Sequence, residues 1–295
     1  MYGRKKRSKK LSLIRSLVCL VLLATCVCLG FSLHKIREVN RDLKRENRIL
    51  EEENSRMQES HQSEEEAIPQ EEFQGEIMIT AGMIIDEDDL EQNQDAFYQI
   101  HEIREGDAIY QRIYGKSYVD NDDISLDELR YLTVLHYNFD HQVQVGELIV
   151  NARISNAVIQ IFRQLYEQEY EIQSMRLIDD YWKGDGESSD TASVEANNTS
   201  AFCYRTITGG SSLSNHAYGL AIDINPQQNP YVTFREDGTP EWEHDNAQAY
   251  IDRESGEAHM IVRGDACHSA FLNYGFSWGG DWNNPRDYQH FEMEY

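Results

Sequence analysis

Residues 214–225 read SNHAYGLAIDIN. With the two-residue period of a strand, Gly219, Ala221, Asp223 and Asn225 share one face, while Leu220, Ile222 and Ile224 share the other. One face is core, and the other is small and polar. A carboxylate on an inward face is costly unless a cation or several donors meet it, so Asp223 requires something positive over it. Two candidates fit that requirement, an arginine and a metal ion.

The end of the chain, WGGDWNNPRDYQHFEMEY, narrows the choice. Asp287 precedes His290 by three residues, and in HFE the strand alternation turns His290 and Glu292 one way and Phe291 the other. His216, Asp223 and His290 together make two imidazoles and one carboxylate. Three protein ligands with an open fourth position describe a catalytic zinc site, whereas structural zinc sites are closed and usually rich in thiolate. The cation over Asp223 is therefore read as a metal. For His101, His136, His141, His244, His259 and His268, outside these motifs, ordinary core or surface roles are expected.

The two motifs, S-x-H-x-x-G-x-A-x-D at 214–223 and W-G-G-D-W followed by D-x-x-H-F-E, resemble the zinc peptidases of bacterial peptidoglycan. These are the D-alanyl-D-alanine carboxypeptidases and dipeptidases and the L-alanyl-D-glutamate endopeptidases; the chain looks closest to the last. The resemblance covers about Gly146 to Tyr295 and is looser from about Phe97. It implies an α+β fold of the hedgehog/D-Ala-D-Ala-peptidase-like kind, a small antiparallel sheet with flanking helices. It also implies one zinc ion held by His216, Asp223 and His290, Asp287 as the catalytic carboxylate, and the peptidoglycan stem peptide as substrate. Zinc lowers the pKa of bound water to about 7, and a carboxylate such as Asp287 can accept the proton and pass it to the departing amine.

Arg205, in CYRTITGG, aligns with the family's arginine that shares the developing oxyanion charge, but Cys203 stands where the family has glycine. A structural salt bridge competes with that role. Ser214, Asp281 and Glu292 are candidates for orienting a ligand histidine or holding substrate. Trp278 and Trp282 are candidates for walling a cleft, set against plain aromatic packing. Carboxypeptidase and endopeptidase both remain open. So does a non-catalytic cell-wall-binding or divisome-like scaffold, although such a binder has no use for a general base.

The rest of the chain presents this domain. The 295 residues carry a formal net charge of −25, but residues 1–10, MYGRKKRSKK, are strongly basic and the excess of acid lies in residues 61–295. Ser16 to Leu33 has no charge, and with Arg15 snorkelling the segment 11–33 is long enough for a transmembrane helix. Basic residues ahead of it keep the N-terminus cytoplasmic and send the C-terminal domain outside, giving a single-pass cell-membrane protein. A cleaved signal peptide needs a small-x-small exit, and GFSLHKIRE supplies a poor one; Thr25 before Cys26 departs from a lipoprotein signal.

In residues 34–60, Ile36, Leu43, Leu50 and Met57 recur every seven positions, with Asn40, Asn47 and Asn54 between them. That pattern suits a coiled-coil stalk, as a homodimer or with another anchored protein; a single solvated helix or a partly disordered stalk is the competing reading. Residues 61–75 form an acidic linker interrupted by Pro69, leaving 76–295 as the extracytoplasmic zinc peptidase domain. Its negative charge argues against nucleic acid and anionic lipid as partners. Cys203 and Cys267 are either paired or two buried thiols.

Periodicity predicts helices over Asp95 to Tyr114, Ser125 to Leu135 with a capping box from Ser125 and Glu128, Asn151 to Glu169, and Asp265 to Tyr274. Strands are expected at Phe202 to Ile207, Gly219 to Asn225, Met260 to Val262 and His290 to Met293, with a loop over Lys183 to Ser200. Helices early and strands late give the α+β class.

Overall fold

A computed structural model describes residues 79–86, 89–90, 93–207 and 210–294. All of them belong to one compact unit, Ile77–Tyr295. The expected anchor at 11–33 and stalk at 34–60 lie outside the described residues; among those described, no helix is long and apolar enough to cross a membrane.

The chain builds an α+β domain from small antiparallel sheets and short helices. Strands β1 (Gln99–Glu102), β2 (Leu129–Tyr137) and β3 (Val143–Asn151) form one antiparallel sheet in that order, with Leu129 opposite Asn151 and Tyr137 opposite Val143. A helix, α2 (Ser155–Glu167), lies against β2 with Val158, Ile159, Ile161, Phe162 and Leu165 buried, the spacing of one helical face. Helix α4 (Ala266–Asn273) joins the same core, where Phe271 meets Phe162 edge-on and stacks on Phe291 at 4.2 Å between ring centres. Asp265 caps α4 by accepting the His268 N–H at 2.7 Å, and Gly275 follows at φ +87°, as the sequence pattern requires.

The second sheet has the order β6 (Ala221–Asp223), β11 (His290–Glu292), β9 (Ser277–Trp278). Its register sets Asp223 opposite His290, Ile222 opposite Phe291 and Ala221 opposite Glu292. Leu220, Ile222, Ile224 and Phe291 enter the core, so the alternation read from the sequence delivers Asp223 and His290 to the other face together. A third sheet, β10 (Arg286–Asp287), β7 (Tyr231–Phe234) and β8 (Pro240–Trp242), carries Asp287. A short parallel pair links β4 (Ser174–Met175) and β5 (Asn198–Thr199).

Several expected elements are corrected. The helix predicted over Asp95 to Tyr114 is a 3-10 turn (Gln94–Phe97), β1, and a short α1 (Ala108–Ile113), which Asp107 caps through the Tyr110 N–H. The capping box of Ser125 and Glu128 does form, but it closes one 3-10 turn (Leu126–Glu128), after which the chain enters β2. Because β2 is covered on both faces, its apolar residues run together and imitate a helical pattern.

Lys183 to Ser200, read as loop, contains α3 (Gly186–Glu195). Its buried residues are Ser189 and Ser193, so the helix has no apolar stripe for the sequence to show. Phe202 to Ile207 is extended without joining a ladder, apart from a bridge between Thr206 and Leu213. Met260 to Val262 is not a strand either: the Asn229 side chain accepts the Ile261 N–H, and Arg253 donates to the Ile261 carbonyl. Cys203 and Cys267 are free, buried thiols.

Candidate active site

Ser214 begins the local structure. Its side chain accepts the His216 N–H at 3.3 Å and starts a 3-10 turn, Asn215–Tyr218, which ends at Gly219 with φ +65°. A β-carbon on Gly219 would stand 2.6 Å from the backbone nitrogen of Asn151, at the end of β3. Glycine therefore lets the turn fold back against the hairpin, and His216 comes over β6.

His216, Asp223 and His290 are buried, with one ligand atom from each lying within 4.8 Å of the others. His216 Nδ1 donates to the Ala201 carbonyl, which leaves Nε2 with a bare lone pair. That nitrogen lies 3.1 Å from Asp223 Oδ2 and 3.2 Å from His290 Nδ1. His290 is arranged the other way round: Nε2 donates to Glu292 Oε2 at 3.0 Å, while Nδ1 faces Asp223 Oδ1 at 3.0 Å. A lone pair facing a carboxylate oxygen at this range is repulsive unless a positive charge lies between them. Each ring also has its outer nitrogen engaged by an acceptor, the arrangement that fixes the tautomer of metal-binding histidines. The donor set fits a divalent cation such as zinc.

The neighbouring carboxylates favour a proton on His290. Burial disfavours charge on His290, but hydrogen bonds to Asp223 and Glu292 overcome it and raise the ring to about 10. Burial likewise opposes ionised Asp223, yet the two imidazoles hold its carboxyl well below the usual carboxylate range.

Asp287 adds a further buried carboxylate to the same cleft. It is 8% exposed, and its Oδ1 is buried with no hydrogen-bond partner. Burial first, and the negative charge of Asp223 second, push this carboxyl up to about 7. The W-G-G-D-W motif places it by leaving side chains out. A β-carbon on Gly279 would stand 2.6 Å from the Asp287 carbonyl oxygen and 3.2 Å from the His290 Cβ; one on Gly280 would enter the Trp278 ring.

Residues 208–293 match the family model described as D-alanyl-D-alanine carboxypeptidase. Over those residues the chain is similar to this peptidase family. No curated protein and no solved structure matches the chain.

The His/Asp/His group opens on a cleft of about 390 Å³ that Asp287, Ser214, Arg205, Trp282 and Glu292 also line. Trp282 stands beside the ligand shell, its ring centre 5.4 Å from that of His290. Trp278 is packed in the core instead, donating its Nε1–H to the Tyr288 carbonyl and lying against Phe291. Asp281 is exposed, pairs with Arg263 at 2.7 Å, and does not line the cleft. Arg205 combines the two roles weighed for it: it lines the cleft, and its Nη2 is bound to Asp190 Oδ2 at 2.7 Å.

Four contributors were not singled out by the sequence. Asn215 donates to Glu292 and so fixes the acceptor of His290. The Ala201 carbonyl sets the His216 tautomer. Gln289, 8% exposed with an unpartnered Oε1, lines the cleft, as does Asp190 of α3. The place of Asn215 and Gln289 inside the motifs was a usable signal, whereas a backbone carbonyl carries none.

Proposed function

We propose that the domain is a zinc peptidase that hydrolyses an amide of the peptidoglycan stem peptide, of the D-Ala-D-Ala carboxypeptidase or L-Ala-D-Glu endopeptidase type. The observation that carries this reading is an unpartnered buried carboxylate, Asp287, in the same cleft as a His/Asp/His group whose tautomers are already set. The match of residues 208–293 to a carboxypeptidase family supports it.

His216 through Nε2, His290 through Nδ1 and Asp223 would hold the ion. When bound, zinc supplies a Lewis acid that makes water acidic at neutral pH and polarises a carbonyl. The protein's own groups do the rest. Asp287 accepts a proton from the attacking water at Oδ1 and returns it to the nitrogen of the departing amine. Glu292 and the Ala201 carbonyl hold the two rings in orientation. Arg205 retains an Nε–H without an acceptor, a donor for a substrate carbonyl as charge develops on its oxygen. A scaffold needs none of these devices.

The same reading places the domain outside the cell, on an anchor at 11–33 and a coiled-coil stalk at 34–60. The support is the run of uncharged residues after a basic start and the heptad pattern. The full chain in detergent should sediment as a dimer, and a monomer would remove the homodimeric stalk.

Mass spectrometry of peptidoglycan digested with the full-length zinc-loaded chain tests the activity, with His216→Ala as control. Loss of a terminal D-Ala identifies a carboxypeptidase, and a stem released after L-Ala identifies an endopeptidase. A digest identical to the control rejects the peptidase.

A further inference from the structure

Arg205 is the only lysine or arginine among the described residues lining the cleft, and it is not free to act as a full positive charge. Asp190 holds its Nη2 at 2.7 Å, and Nη1 donates to the Thr206 carbonyl at 3.2 Å. The pair is largely buried, with side-chain exposures of 11% for Arg205 and 18% for Asp190. Its position is enforced by α3. A β-carbon on Gly186 would stand 2.9 Å from the Arg205 Cβ and 3.2 Å from Cys203 Sγ, so helix and arginine segment touch backbone to side chain. Asp185 caps the same helix through the Ser188 N–H at 2.8 Å.

The surroundings are negative. Glu187 and Glu243 line the same cleft, and His244 lies 3.9 Å from Glu195. A free carboxylate brought against Arg205 would make a second anion on one cation, beside further acids. A peptide carbonyl meets no such penalty, since the unpartnered Arg205 Nε–H can still donate to it. Gln289, nine-tenths buried with an unpartnered Oε1, offers an acceptor, which also suits a substrate N–H rather than a carboxylate.

We infer that Asp190 is a specificity-determining residue of the peptidase. By compensating Arg205 it turns away peptides that end in a free carboxylate at this part of the cleft and admits those that continue there as an amide or bear an amino group. The inference deepens the peptidase reading on which it rests, because it makes the cleaved bond internal. Asp190 and the whole of α3 lie outside the matched residues 208–293.

The test is equilibrium binding of two probes, a stem pentapeptide ending in two D-alanines as the free acid and the same peptide as its carboxamide. The receptor is the zinc-loaded full chain carrying Asp287→Asn to stop turnover, alone or with Asp190→Asn or Asp190→Glu. The carboxamide should bind roughly tenfold tighter than the acid. Asp190→Asn should move that ratio by roughly tenfold toward the acid, at unchanged zinc content, while Asp190→Glu keeps the original preference. A parent that prefers the free acid overturns the inference. So does a ratio that Asp190→Asn leaves unchanged, or one that Asp190→Glu loses just as fully. Because the readout is binding, a chain that discriminates between the probes but hydrolyses no stem peptide counts against the peptidase reading alone.

Discussion

At the residue scale the site rests on which atom of each side chain is already taken. Asp287→Asn removes the proton acceptor and leaves the three ligands in place, so zinc should stay bound while turnover falls by roughly 10²- to 10⁴-fold. Retained rate with retained zinc would exclude Asp287 from the chemistry. The pH dependence has a defined sign: burial and Asp223 raise the carboxyl to about 7, and only its ionised form accepts a proton. Turnover therefore falls as pH drops, and because a cation among the ligands favours the carboxylate, the acid limb should have its midpoint below 7. An identical acid limb in Asp287→Asn would assign it elsewhere. Glu292→Ala frees His290 Nε2, and zinc affinity by competition titration should weaken roughly 10- to 100-fold. The grouping of His216, Asp223 and His290, with Asp287 in the same cleft, was legible because strand alternation and fixed spacing imply which way side chains point. Asp190 was not, since its meaning depends on a helix meeting Arg205 from elsewhere in the chain.

At the scale of elements, Gly219 joins the turn holding His216 to the hairpin that supports it. Gly219→Ala combines a left-handed φ of +65° with a contact of 2.6 Å to Asn151 nitrogen, and should destabilise the domain by roughly 2–4 kcal/mol in urea unfolding. A loss under 1 kcal/mol would mean that the turn shifts freely. Strand β2 makes a different prediction through His136, 1% exposed, with Nε2 unpartnered. Burial lowers this imidazole from 6.5 to about 4. The unfolded chain thus takes up the proton first: the contribution is complete above pH 6.5 and is lost as pH falls toward 4, about 3 kcal/mol in all. Between pH 7 and 4.5, His136→Leu should lose less stability than the parent, and equal losses would refute this origin. β2 also shows why the early elements were misread. LRYLTVLHY is covered on both faces, so it lacks the alternation that marked AID and HFE, and the genuine capping signal ahead of it favoured a helix. In α3 the error ran the other way, because serines pack where apolar residues would have announced a helix.

For the whole domain, a bound ion would also be a structural tie. His216 enters from the turn before β6, Asp223 from β6 itself and His290 from β11, almost seventy residues further on, so a cation held by all three links segments that an unfolded chain separates. A ligand bound only by the folded form stabilises it by about 4 kcal/mol at a thousandfold excess over its dissociation constant. For a domain of this size that corresponds to a rise in Tm of about 10 °C. The size of the rise should depend on pH, because the ion competes with a proton. His290, raised to about 10 by Asp223 and Glu292 against the effect of burial, must release that proton before Nδ1 can bind a metal. Calorimetry with zinc and with a chelator should therefore show a larger gap in Tm at pH 8 than at pH 6. His216→Ala should abolish the gap at both, since two remaining ligands no longer bridge the turn to the sheet. A gap independent of pH would mean that the metal displaces no proton from His290, and would place it away from that ring.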